Sequence, residues 1–222
     1  MSSGLSAFLD RRIWSFNVEV ARYAHPAWLT QFKQGWPAAW VRDIHHQSQY
    51  LISTHGLALT RAEVMHSAFE RVALLNARDI HQLIRCWIAR HCSGYLRENV
   101  GGRIARGNAR VLGTAVMDGA LAMPRDGQGD GSVHRAHGNY GSHGRSEIAR
   151  PADLAVLHRR VLRTIYEHLS PEVAQRFRLR FRPGCFHEVL AIDDVSELEA
   201  SLVSVEMRDY LSKEGACILS VR

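Results

Sequence analysis

The chain has 222 residues, 46% of them hydrophobic and 23% charged, which fits one sizeable globular domain or a domain with a small appendage. No apolar run is long enough to suggest a transmembrane helix, and MSSGLSAFLDRRIW has an acid and two arginines where a signal peptide needs its apolar stretch, so a cytoplasmic protein is expected. The formal net charge is +6, and all but two of the 28 basic residues are arginine, the better residue for forked contacts to carboxylate or phosphate.

Four of the five tryptophans (Trp14, Trp28, Trp36 and Trp40) fall in the first forty residues, beside Phe8, Phe16, Tyr23 and Phe32. His25-Pro26 and Gly35-Trp36-Pro37 break this region, so its helices should be short. A first helical piece is predicted over Asn17 to Ala24, and another from about Ala38 to Ser53. Thr60-Arg61-Ala62-Glu63 has the form of a capping box, with Met65, Phe69, Val72 and Ala73 as the apolar face behind it. Ile80, Leu83, Ile84, Trp87, Ile88 and His91 then follow helical periodicity closely. Burying the five large apolar side chains of that helix contributes on the order of 10 kcal/mol before ordering costs.

Gly101-Gly102 ends this region, and a weaker helix is predicted from about Arg103 to Met123, interrupted by Gly107, Gly113 and Gly119. Composition changes at Pro124. Residues 124–151 are rich in Gly, Ser, Asp and His and read as a flexible linker between an N-terminal part, 1–123, and a C-terminal part, 152–222. Ala152 to Leu169 is a helix with Leu154, Leu157, Val161, Ile165 and Leu169 on one face. Ser170-Pro171 then suits a helix start. RFRLRFR, Arg176 to Arg182, fits a strand by its alternation and a helix by the spacing of Val173, Phe177 and Phe181. An acidic helix over Asp194 to Leu211 and a short terminal strand, ACILSV, complete the chain. The expected fold is mainly α: a compact domain of seven or eight helices with at most two short strands.

The motifs of common chemistries do not appear. Cys86, Cys92, Cys185 and Cys217 form no CxxC pair and are read as reduced thiols. The thirteen histidines include no HExxH, and HRAHGNYGSHG reads as an adventitious metal binder rather than a site. There is no nucleophile elbow, and DGQGDGS lacks the lysine of a phosphate loop. No enzyme, metal or cofactor is therefore expected. For RFRLRFR, a solvated arginine face ranks first, a protein interface second and single-stranded nucleic acid third. A helical nucleic-acid-binding regulator using the basic surface is the rival reading of the whole chain. Most of the aromatic cluster is expected to be core, with part left available to a partner.

FNVEVARYAHPAWL near the N-terminus, ERVALLNARDIHQLIRCWIARHC in the middle and SPEVAQRFRLRFRPG late in the chain together resemble the SctK/YscK family. These are cytoplasmic accessory proteins of the bacterial type III secretion sorting platform. The resemblance covers most of the chain, and residues 124–151 depart from it. It implies a helical adaptor without catalytic activity at the cytoplasmic face of the inner membrane. The implied partners are the SctD-like ring protein and the SctQ-like pod protein, with the SctL-like stator and the ATPase reached indirectly. Expected protein contacts are Phe16, Tyr23, His25, Pro26 and Trp28 as apolar anchors or fixers of the chain path. Arg178, Arg180 and Arg182 are expected to meet carboxylates of an acidic partner.

Overall fold

The computed structural model describes residues 2–122 and 151–186. The described chain is mainly helical, with eleven α-helices, three single 3-10 turns and no strand. It packs as two units, one built from residues 1–81 and the chain from 161 onward, the other from residues 82–160. The boundaries thus fall inside two helices, whereas the change of composition in the sequence falls at Pro124. The linker's residues 124–150, the acidic helix at 194–211 and the terminal strand lie outside the described residues.

The first unit opens with α1 (Ser2–Val18), which puts Ile13 and Phe16 on its buried side, followed by Val20 just beyond its end. The helix predicted over Asn17 to Ala24 is therefore corrected: α1 stops at Val18, and a 3-10 turn, Val20–Arg22, follows. A second turn, Pro26–Leu29, leads into α2 (Thr30–Gly35) and α3 (Ala38–Arg42). The piece expected from Ala38 to Ser53 is divided at Asp43. That carboxylate accepts a hydrogen bond from the His45 amide at 2.8 Å and so starts α4 (Ile44–His55) as its cap. Gly56, at φ 57°, ends α4 in the left-handed conformation.

The capping box at Thr60 is not formed. The chain there makes a 3-10 turn, Ala62–His66, and the cap lies one turn later, where Ser67 Oγ accepts from the Glu70 amide at 3.1 Å to start α5 (Ala68–Val72). Thr60 instead lies buried, its amide and carbonyl both held by the Asn17 side chain at 2.8 Å. Val20, Leu29, Phe32, Leu51, Leu57 and Leu179 form a core cluster of this unit, bringing residues from both ends of the described chain together.

The strongly periodic helix is α6 (Ala77–His91), and Ile80, Leu83, Ile84, Trp87 and Ile88 are all buried as expected. In the second unit, α7 (Ser93–Glu98) and α8 (Gly102–Leu112) both pack on α9 (Thr114–Ala122). The single helix expected from Arg103 to Met123 is broken at Gly113, whose φ of 91° no helix accommodates. Near the other end of the described chain come α10 (Pro151–Glu167) and α11 (Pro171–Arg178). Pro171 takes the first helical position as expected, but the Ser170 side chain makes no capping bond. RFRLRFR is the end of α11 and the turn after it, not a strand.

Candidate functional site

The two groups of residues singled out at the ends of the chain form one cluster in the first unit. Phe16 stacks on Tyr23 with ring centroids 5.3 Å apart. The Arg180 guanidinium lies 4.2 Å from the Tyr23 centroid and 5.6 Å from that of Phe16. The His25 amide donates to the Leu179 carbonyl at 2.7 Å, and the Trp28 indole N–H donates to the Phe181 carbonyl at 2.7 Å. His25 Nδ1 accepts from the Ala27 amide at 3.2 Å, so the imidazole caps the turn that Pro26 begins.

Burial decides what this cluster can offer. Phe16 is 2% exposed and Arg180 4%, so neither presents a surface, and their expected contacts with another chain are corrected to packing within this one. Tyr23, His25, Trp28 and Arg178 are half-buried, while Pro26 and Arg182 are exposed. Burial draws the Arg180 guanidinium down to about 10, which leaves it charged at neutral pH. Burial also pushes the Tyr23 phenol up, opposed in part by Arg180 and Arg176. An arginine charge held against aromatic faces is a cation–π arrangement. It consumes the rings and the cation together.

The residue that the sequence analysis passed over is Arg176, which is 0% exposed. Its Nη1 donates to the carbonyls of Phe16 at 3.2 Å and Asn17 at 3.1 Å, in the last turn of α1. Nε and Nη2 donate to the Ala58 carbonyl at 3.1 and 2.9 Å. The last carbonyls of a helix lack partners within it and carry the negative end of its dipole, so a guanidinium there supplies both donors and charge. The signal in the sequence was helical: Val173, Arg176, Phe177 and Arg180 share one face at three- and four-residue spacing.

A different part of the aromatic cluster stays open. Every residue from Lys33 to Trp40 is exposed, with Trp36 at 43% and Trp40 at 42%. Phe32, Trp36, Trp40 and His46 form a stacked row, with successive centroids 5.4, 5.1 and 4.7 Å apart. The row is held from inside, because Phe32 belongs to the core cluster and also meets Tyr50 at 5.0 Å. It is held from outside by Asp43, whose second carboxylate oxygen lies 2.6 Å from His46 Nδ1. The bonds from the His45 amide and from His46 keep the Asp43 carboxyl below its usual range. Since the rings already stack on one another, they offer solvent a firm apolar ridge more than a free platform for a base.

The histidines at 45, 46 and 55 separate in the same way. His46 ends the aromatic row, and His55 sits edge-on to Trp28 at 5.1 Å. Among the described residues no three of His, Cys, Asp and Glu gather as metal ligands. No described helix is long and apolar enough to cross a membrane. Comparison of the chain with protein-family models, curated proteins and solved structures finds no match.

Proposed function

We propose that the protein is a non-catalytic adaptor that grips other polypeptides, with the ridge at Trp36 and Trp40 as its principal apolar anchor. The observation that carries this reading is the run Trp36-Pro37-Ala38-Ala39-Trp40, five consecutive apolar residues that all face solvent. Such a run lowers solubility unless something covers it, and tryptophan is prominent among residues that dominate protein interfaces. Lys33 and Arg42 flank the run, and no Asp or Glu occurs between Val20 and Arg42. A partner surface with apolar pockets and a carboxylate rim fits it.

The similarity to the SctK/YscK family gives this adaptor its proposed setting, the sorting platform at the cytoplasmic face of the inner membrane. There it would join the SctD-like ring protein to the SctQ-like pod protein, and through the latter reach the SctL-like stator and the ATPase. Two stretches that carry the similarity, FNVEVARYAHPAWL and SPEVAQRFRLRFRPG, are bound to each other through Arg176, Arg180, His25 and Trp28. Their shared packing gives a physical reason for their occurrence together. Affinity purification of the tagged protein from its native cell should recover the ring and pod proteins. Recovery of nucleic acid without them would reject the proposal.

A further inference from the structure

We propose that Tyr95 and Asn108, in the second unit, hold a single buried water molecule that bridges α7 to α8. Asn108 lies on the inward face of α8, one turn before the buried Leu112, and is 0% exposed. Among the described residues neither its Oδ1 nor its Nδ2 has a hydrogen-bond partner, and both atoms are shut off from bulk solvent. The Tyr95 hydroxyl, on α7, is buried and unpartnered in the same way. The two side chains are neighbours: burial pushes the Tyr95 phenol up, and the Asn108 amide works against that rise. Yet no direct hydrogen bond joins them.

Three polar atoms without partners in one place are unusual in a folded interior. Nearly all buried amide and hydroxyl groups are bonded, and leaving one unmet costs stability. The Asn17 amide, by contrast, spends both of its atoms on the Thr60 backbone at 2.8 Å each. Two polar groups that are close but not bonded to each other are the usual setting of a bridging water.

The donors and acceptors select the occupant. Nδ2 must give a hydrogen bond and Oδ1 must receive one, while the phenol can do either. A cation offers nothing to Nδ2, and an anion offers nothing to Oδ1. The Asp153 carboxylate, in the first turn of α10, also bears on Tyr95 and further disfavours an anion. Burial pushes the nearby Cys92 thiol up to about 12, so it stays neutral, as does the Tyr95 phenol. A small neutral molecule that both gives and accepts hydrogen bonds is water. It can accept from Nδ2, donate to Oδ1 and meet the phenol with a third bond, the usual number for an internal water. The water thereby ties together α7 and α8, the two helices that pack on α9. The site is independent of the ridge at Trp36 and Trp40.

Crystals of the full chain that diffract well enough to place waters should show one within about 3 Å of both the Asn108 amide and the Tyr95 hydroxyl. In solution, oxygen-17 magnetic relaxation dispersion counts long-lived internal waters. The wild type should hold one more than Asn108→Leu, which removes donor and acceptor at nearly constant volume. Tyr95→Phe should keep the count but shorten the residence time roughly fivefold or more, the effect of one lost hydrogen bond. This variant leaves Asn108 in place and keeps the test decisive if Asn108→Leu does not fold. A direct Tyr95–Asn108 hydrogen bond or a dry site in the crystals would overturn the proposal. So would equal water counts in the wild type and Asn108→Leu, or an unchanged residence time in Tyr95→Phe.

Discussion

A buried arginine is costly unless its donors are met, and Arg176 meets them with backbone carbonyls. Four hydrogen bonds to three carbonyls tie α11 to the end of α1 and to the loop at Ala58. Arg176→Met keeps much of the volume but leaves those carbonyls without this donor. It should cost on the order of 3 kcal/mol, read from chemical denaturation, whereas exposed Arg182→Met should change little. A second residue-scale expectation concerns pH. Burial, with the Arg178 charge behind it, holds the His55 imidazole below its usual 6.5. The folded state therefore resists the proton that the unfolded state accepts, so stability falls as pH drops below 6.5. His55→Gln should flatten that part of a melting-temperature profile between neutral and mildly acidic pH, and an unchanged slope would assign it to other groups. The roles of these residues were hard to read beforehand because alternation in RFRLRFR imitates a strand. Helical spacing was also visible there, and it places Arg176 and Arg180 on the inner side.

At the scale of elements, the strong signals were the long ones. Ile80 through Ile88 repeat apolar residues over enough turns to leave one reading, and α6 forms as that pattern requires. Short elements depend on single side chains whose choice is settled by tertiary partners. Thr60 and Ser67 both precede a glutamate at the third position, so both match a capping box. Asn17 claims the backbone of Thr60, and Ser67 is left to start α5. Ser67→Ala should therefore cost about 1 kcal/mol. Thr60→Val should be neutral or slightly stabilising, because the buried Thr60 hydroxyl has no hydrogen-bond partner among the described residues. Denaturant midpoints of the two variants give the comparison, and the reverse order would contradict the assignment of the cap. Likewise, of the three glycines in the stretch read as one helix, Gly113 breaks it. Gly107 instead lies within α8 and admits the Pro151 ring. Sequence alone gives no means of telling these two uses apart.

At the scale of the whole molecule, the mainly helical class was legible, but the expectation that most of the aromatic cluster is core is corrected: of its four tryptophans Trp14, Trp36 and Trp40 are exposed. Which rings lie inside was not legible either. Trp28 is tied to Phe181, 153 residues later, and Phe16 is covered by arginines equally remote, so no local pattern could reveal their partners. Trp36 and Trp40 project because Gly35 and Pro37 separate two short helices with nothing described above them. The proposed function stands on the Trp36–Trp40 ridge gripping a component of the sorting platform. It is tested most directly by isothermal titration of the purified chain, wild type and Trp40→Ala, against the purified SctQ-like pod protein and the cytoplasmic domain of the SctD-like ring protein. At least one of them should bind the wild type, and Trp40→Ala should weaken this about tenfold or more while lowering the melting temperature by only a few degrees. Binding of neither protein, or undiminished binding by the variant, would contradict it.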